Sequence, residues 1–273
     1  MINLFISTGA LVKSYRYGRT LEITTSNGLY RKTIKVLPNK RYLILETGEV
    51  RDMNTSAENR ADNLKAVKQT MKKLRRLIAH NFTGGINQLW ITLTYEEDIT
   101  DYKLASKDYK LFMKKLRKSH NNLEYISVIE PQASGRWHFH ILLKNDTTLF
   151  IPNEEIARYW GKGFTKTKRL KSSDKVGNYV LAYLSNLDLP ADEYSQSKKF
   201  VKGARLYFYP KGIRIYRRSQ GILDPITETE SKKIILKKHH ATNRKANYST
   251  RSVHQAKTRQ VTYITEFYDD LIL

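Results

Sequence analysis

The sequence predicts an α+β protein in which an antiparallel sheet is flanked by helices. Three observations carry this. Residues 88–95 alternate with period two, Leu89, Ile91, Leu93 and Tyr95 against Trp90, Thr92 and Thr94, as a strand with two different faces does. Residues 123–130 and 137–144 are strand-like and meet across Ser134-Gly135, a pair suited to a tight turn, so they fold back as a hairpin. Between and before them run helix-period stripes: Leu64, Val67, Met71, Leu74 and Ile78 within 58–80, and Tyr109, Phe112, Met113 and Leu116 within 106–119.

The remaining elements follow in order. Residues 1–57 read as a β-rich extension of short strands, with Ser26-Asn27-Gly28 turning a hairpin between 21–24 and 30–34. Ser106 is the expected cap of the helix ending near Ser119, with Asp108 favouring its N-terminus. Asn153 is the expected cap of a short helix through Trp160, ended by Gly161. Residues 164–170 read as a strand. Asp174 caps a helix to about Leu187, with Pro190 beyond its end. Residues 206–209 and 213–217 read as strands around Pro210-Lys211-Gly212. The last fifty residues have weak periodicity and a heavy basic load, which predicts a helical or partly ordered appendage. The expected organisation is thus an extension over 1–57, a main domain over 58–222 and a basic appendage over 223–273.

The net charge is +23. Residues 198–218 and 231–259 hold eight and nine basic residues respectively and no acidic ones. A field of this sign favours nucleic acid or an anionic membrane as partner. No apolar run approaches ~18 residues, which argues against a membrane span, and the first residues lack a basic n-region and a clear cleavage site. Cysteine is absent. That removes disulfides, thiolate metal sites and cysteine nucleophiles, and fits a cytoplasmic protein. No G-x-x-x-x-G-K-[ST] loop is present, so no P-loop ATPase or helicase is expected within the chain.

The chemistry concentrates at Glu130, His138 and His140. Two histidines one residue apart on a strand point to one face, and the turn at Ser134-Gly135 brings the Glu130 carboxylate back towards them. Two imidazoles and a carboxylate make an open metal site with positions left for a substrate. A second candidate segment is 175–185. On a helix there, Val176, Val180, Leu184 and Leu187 form the buried stripe, Tyr183 falls close to it, and Tyr179 lies at its margin beside Lys175. A marginal tyrosine can present its hydroxyl to a cleft. A phenol with its ordinary pKa near ~10 is a poor nucleophile at neutral pH, so it needs the help a divalent cation gives to a phosphate. Lys175 is the candidate for stabilising developing charge. Basic and aromatic residues over 162–171 and 198–218, among them Lys166, Lys168, Arg169, Arg205, Arg214, Arg217 and Arg218, are expected to follow a DNA backbone and stack on unpaired bases.

Taken together, three segments resemble the HUH endonucleases, and within them the rolling-circle replication initiators of plasmids, phages and integrated elements. Trp90-Ile-Thr-Leu-Thr-Tyr95 resembles the family's first motif, Glu130 with His138-Phe139-His140 its metal motif, and Tyr179-Val-Leu-Ala-Tyr183 its tyrosine motif. Arg214 to Ile222 resembles the stretch that closes the domain in plasmid-type members. The resemblance covers roughly 58–222. It implies an HUH-endonuclease fold, a central five-stranded antiparallel sheet with flanking helices. It also implies Mn2+ or Mg2+, and origin nicking through a 5′-phosphotyrosine on Tyr179 that leaves a 3′-OH for the host polymerase. The implied substrate is single-stranded or hairpin origin DNA, with unwinding left to a host helicase. Tyr183 is a possible second nucleophile by the same resemblance. The sequence departs from the motif at Ala182, where the family has lysine, so a lysine-dependent step is unassigned or moves to Lys175. The order, histidines before tyrosine, is that of initiators and HUH transposases. The rivals are a transposase with this chemistry and a non-catalytic basic nucleic-acid-binding protein.

Overall fold

The computed structural model describes residues 5–26, 34–53, 55–56, 58–132, 134–171, 204–255 and 260–272. In chain order the strands begin with β1 (Leu11–Tyr17), β2 (Thr20–Ser26), β3 (Ile34–Leu37), β4 (Arg41–Ile44) and β5 (Val50–Asp52). Helix α1 (Leu64–Asn81), β6 (Gln88–Thr94), α2 (Tyr102–Ser119), β7 (Glu124–Pro131), β8 (Trp137–Lys144), α3 (Asn153–Trp160), β9 (Thr165–Arg169) and β10 (Tyr216–Arg218) follow. The last elements are β11 (Ile226–Ser231), α4 (Lys232–Lys238), β12 (Tyr248–Gln255) and β13 (Gln260–Tyr268). They fall into two compact units, 1–57 with 225–273, and 58–224.

In the first unit the two chain ends contribute to one antiparallel sheet, ordered β11-β1-β2-β13-β12. The final segment, expected to be helical or partly ordered, is therefore largely a hairpin. In it Tyr248 stacks on Phe267 at 4.3 Å between ring centres. Such cross-strand aromatic pairs stabilise a sheet even where the surrounding charge is high. The hairpin expected at Ser26-Asn27-Gly28 is also corrected. Both edges of β2 are taken, by β1 and by β13, and β3 pairs with β4 instead; residues 27–33 lie outside the described residues. One buried ion pair anchors this unit. Glu266 accepts from Lys232 Nζ at 2.8 Å, Tyr268 Oη at 2.8 Å and Ile6 N at 2.8 Å.

The second unit is built on an all-antiparallel five-stranded sheet, ordered β10-β7-β8-β6-β9. Its period-two strands have two different faces. On one, Leu89, Ile91 and Leu93 of β6 lie opposite Leu143, Ile141 and Phe139 of β8. Tyr109 of α2 stacks on Phe139 at 5.0 Å, and Trp160 of α3 meets the same ring edge-on at 6.0 Å. Deleting a ring such as that of Phe139 costs about 3–5 kcal/mol. With this face sealed by α2 and α3, the other face carries Trp90, Thr92, Thr94, His138, His140 and Glu130.

Several element boundaries differ from the sequence reading. Helix α2 starts a turn before Ser106, because Asp101 is its cap and accepts from Lys103 N at 2.8 Å. Helix α1 is preceded by a 3-10 turn, Arg60–Asn63, where Asp62 accepts from Glu58 N at 2.7 Å. Asn153 does not cap α3; Pro152 holds that position, and the Asn153 amide instead ties α3 to Thr165 and Thr167 of β9. The strand expected at 206–209 is a 3-10 turn, Ala204–Phe208. Leu206 and Tyr209, three residues apart, both turn into the core, and Tyr209 Oη reaches the Ile129 carbonyl at 2.7 Å. The helix expected at 174–187 lies outside the described residues.

Candidate metal centre

Glu130 ends β7 and the histidines open β8, so the hairpin register decides the site. Glu130 lies directly opposite His138, and His140 opposite Val128. The turn between them is held by Gln132 N to the Arg136 carbonyl at 2.7 Å, and Gly135 supplies its positive φ of 86°. Glu130 Oε2 stands 3.3 Å from His138 Nε2 and 3.5 Å from His140 Nε2, and the two Nε2 atoms are 3.1 Å apart. Two donors bound to one cation at ~2.0–2.2 Å, at angles between a right angle and a tetrahedral one, sit roughly 2.8–3.6 Å apart. All three separations fall in that interval, so the triad fits a metal bound on one face with further positions open. Among the described residues this is the group with that property.

The protonation states fit as well. Burial pushes the Glu130 carboxyl up, but hydrogen bonds from His138 and His140 outweigh it and hold the group down at about 2. Burial pulls the His140 imidazole below its ordinary value, against the opposing pull of Glu130. At neutral pH this gives an ionised carboxylate and a neutral ring, the forms that bind metal. Glu130 is 1% exposed, a depth at which an ionised carboxylate requires partners.

Sequence reasoning missed two residues here. Thr92 of β6 lies opposite His140, and its hydroxyl is 3.3 Å from His140 Nδ1. Trp90 Nε1 is 3.4 Å from the same nitrogen. The period-two alternation of β6 was the available signal, since it sets Trp90 and Thr92 on one face.

The expected DNA-contacting residues separate by face. Lys166 and Lys168 of β9 are exposed and lie opposite Thr92 and Trp90; Lys168 Nζ stands 4.6 Å above the Trp90 ring. Arg214 is exposed. Arg218 forms a bidentate pair with Asp224 at 2.9 and 2.8 Å, so its charge is already matched. Arg169 donates to the Ile86 carbonyl. Arg217 points to the helix-covered side, donating to Ser106 Oγ at 2.8 Å and Tyr102 Oη at 3.0 Å, with Tyr109 below its guanidinium. That places Arg217 with the core and away from the metal face. Lys175, Tyr179 and Tyr183 lie outside the described residues, as does the side chain of Arg205.

No curated protein and no solved structure matches this chain. Residues 88–188 match the model of one family, the replication-associated proteins of the ORF2 type. The match runs from β6 through the metal hairpin and on past Tyr179 and Tyr183. The segment that carries the triad is thus similar to the ORF2-type replication-associated proteins, a match consistent with a rolling-circle replication initiator.

Proposed function

We propose that this protein is a metal-dependent DNA nickase and strand transferase of the HUH type that starts rolling-circle replication of a mobile element. The observation that carries the reading is the convergence of Glu130, His138 and His140 within 3.1–3.5 Å, inside a segment matching a replication-associated family. The three residues would hold Mn2+ or Mg2+, and imidazole ligands suit Mn2+ better. A bound divalent cation supplies charge neutralisation at the non-bridging oxygens of a phosphate. Tyr179 is the proposed nucleophile: its phenol oxygen bonds to the scissile phosphorus as the bond to the 3′-oxygen breaks. The phenol gives up a proton and the released 3′-oxygen gains one. The resulting 5′-phosphotyrosine stores the broken linkage for rejoining, and the free 3′-OH primes a host polymerase. Tyr183 is a second candidate nucleophile and Lys175 a candidate for charge stabilisation. Lys166, Lys168 and Arg214 are the proposed phosphate contacts, and a host helicase unwinds the duplex. No helix among the described residues is long and apolar enough to cross a membrane; a cytoplasmic site of action belongs to the proposal.

The test incubates the protein with Mn2+ and overlapping single strands from around its own gene, followed by a denaturing gel. A protease-sensitive protein–DNA adduct that vanishes in Tyr179→Phe supports the reading and its nucleophile. An adduct that survives Tyr179→Phe and vanishes in Tyr183→Phe keeps the function and moves the nucleophile. Tight DNA binding without any adduct favours the non-catalytic alternative.

A further inference from the structure

The edge strand beside the metal centre carries an exposed aromatic that no fold requirement explains. Phe164 is 65% exposed, yet its backbone is firmly fixed. Its carbonyl accepts from Thr94 N at 2.9 Å and from Thr94 Oγ1 at 3.0 Å. Two residues earlier, the Lys162 carbonyl accepts from Glu96 N at 2.8 Å. Gly163 between them permits this close approach, because a Cβ there would stand 2.4 Å from Glu96 N. These bonds continue the β6–β9 register, in which Leu93 faces Thr165. Phe164 therefore lies opposite Thr94, which in turn lies opposite His138. Two strand spacings, about 9–10 Å, separate Phe164 from the histidine. By alternation it shares the metal face with Lys166 and Lys168, two and four residues on.

We propose that Phe164 is a stacking platform for one unpaired base of a single DNA strand whose phosphates run along Lys166 and Lys168. A rigid exposed ring is pre-organised to stack, so little side-chain entropy is lost on binding. Lys166 and Lys168 are about 6.6–6.8 Å apart along the strand, comparable to the spacing of successive phosphates in an extended single strand. No acidic residue occurs from 162 to 171, so the edge complements a polyanion. This inference deepens the nickase reading by assigning a base contact next to the reacting phosphate, and it depends on that reading only for the strand being DNA.

The test is fluorescence anisotropy in EDTA, so that binding is measured without chemistry. Three labelled probes of one length are compared: oligothymidylate, the same backbone with abasic sites, and a duplex. Phe164→Ala should weaken oligothymidylate binding by about 5- to 150-fold and leave the abasic and duplex probes unchanged, while Phe164→Trp retains the wild-type preference. Lys166→Gln and Lys168→Gln should weaken all three probes and flatten the salt dependence, by about 0.7 in the log–log slope for each phosphate of a single strand that is no longer neutralised. Phe164→Ala binding oligothymidylate as wild type, or losing the abasic probe equally, overturns the proposal. Failure of wild type to form a covalent adduct on any strand would overturn the nickase reading alone, since stacking is read without metal.

Discussion

Replacing Thr92 by valine should weaken Mn2+ binding about tenfold, for a reason that lies in the direction of one proton. A neutral imidazole has one N–H and one bare nitrogen. If His140 is to offer Nε2 to a metal, its Nδ1 must carry the proton and needs an acceptor. The Thr92 hydroxyl, 3.3 Å away, can accept. The Trp90 indole N–H, 3.4 Å away, can only donate, so it favours the opposite tautomer, with the proton on Nε2. Valine keeps the β-branched shape of threonine and removes the acceptor. Losing one net hydrogen bond of about 0.5–1.5 kcal/mol corresponds to roughly 2- to 12-fold in affinity. The Trp90 bond then favours the wrong tautomer unopposed, which moves the expected loss towards the upper end and into the about 10- to 100-fold range seen when a ligand's supporting partner is removed. The assay is titration of metal-free protein with Mn2+, following the free ion by electron paramagnetic resonance. Thr92→Ser should bind as wild type, Trp90→Phe should bind as well or better, and adding Trp90→Phe to Thr92→Val should recover part of the loss. Equal affinities for wild type and Thr92→Val would refute the tautomer argument. So would an equal loss in Trp90→Phe, which would mean that ring packing matters and proton direction does not.

Two further outcomes follow from the geometry of the same unit. Gly163→Ala drives a Cβ to 2.4 Å from Glu96 N and 2.7 Å from Tyr95 C at a φ of +143°. The neighbours are backbone and cannot swing aside, so thermal unfolding should show a loss of about 1–3 kcal/mol, and an unchanged melting temperature would contradict the close approach. Acid should destabilise the metal-free protein in a way that Glu130→Gln removes. The folded Glu130 carboxyl is depressed from 4.5 to about 2, so its contribution is complete above about 4.5 and is lost as pH falls towards 2. The shift corresponds to on the order of 3 kcal/mol. The lowered His140 value adds in the same direction, beginning below the ordinary histidine range near 6.5. Melting curves in EDTA from neutral to acid pH should fall more steeply for wild type than for Glu130→Gln, and parallel curves would refute the assignment.

How much of this was legible beforehand depends on the range over which each signal acts. The metal hairpin was readable because its determinants are local: a turn at Ser134-Gly135, a strand on either side, and a register that puts Glu130 opposite His138. The core strand β6 was readable for the same reason. Errors came where a tertiary contact outcompeted a local preference. Asn153 has the chemistry of a cap, but Thr165 and Thr167 take its amide. Leu206 and Tyr209 look like strand residues, but their spacing of three serves a 3-10 turn that buries both. The pairing of β2 with β13 joins residues near opposite ends of the chain, and a window of a few residues carries no information about such a partner.

The basic residues show why charge alone located no interface. Arg217 and Arg218 are adjacent in sequence, yet one supports α2 from the covered side and the other pairs with Asp224. Lys166 and Lys168 lie on the metal face and are exposed to solvent. A formal charge of +23 therefore overstates the positive field that a strand at the metal centre meets, because part of it is neutralised or turned away. What discriminates among these cations is strand parity relative to His138 and His140. On β9 the even-numbered positions share the metal face and the odd-numbered ones face α3, so one strand assigns Lys166 and Lys168 to substrate and Thr165 and Thr167 to the scaffold. Parity could have been applied to the sequence once β9 was placed beside β6. That placement, a pairing between residues more than seventy positions apart at Leu93 and Thr165, is the step local pattern cannot supply, and with it the face that meets DNA follows from the alternation of a five-residue strand.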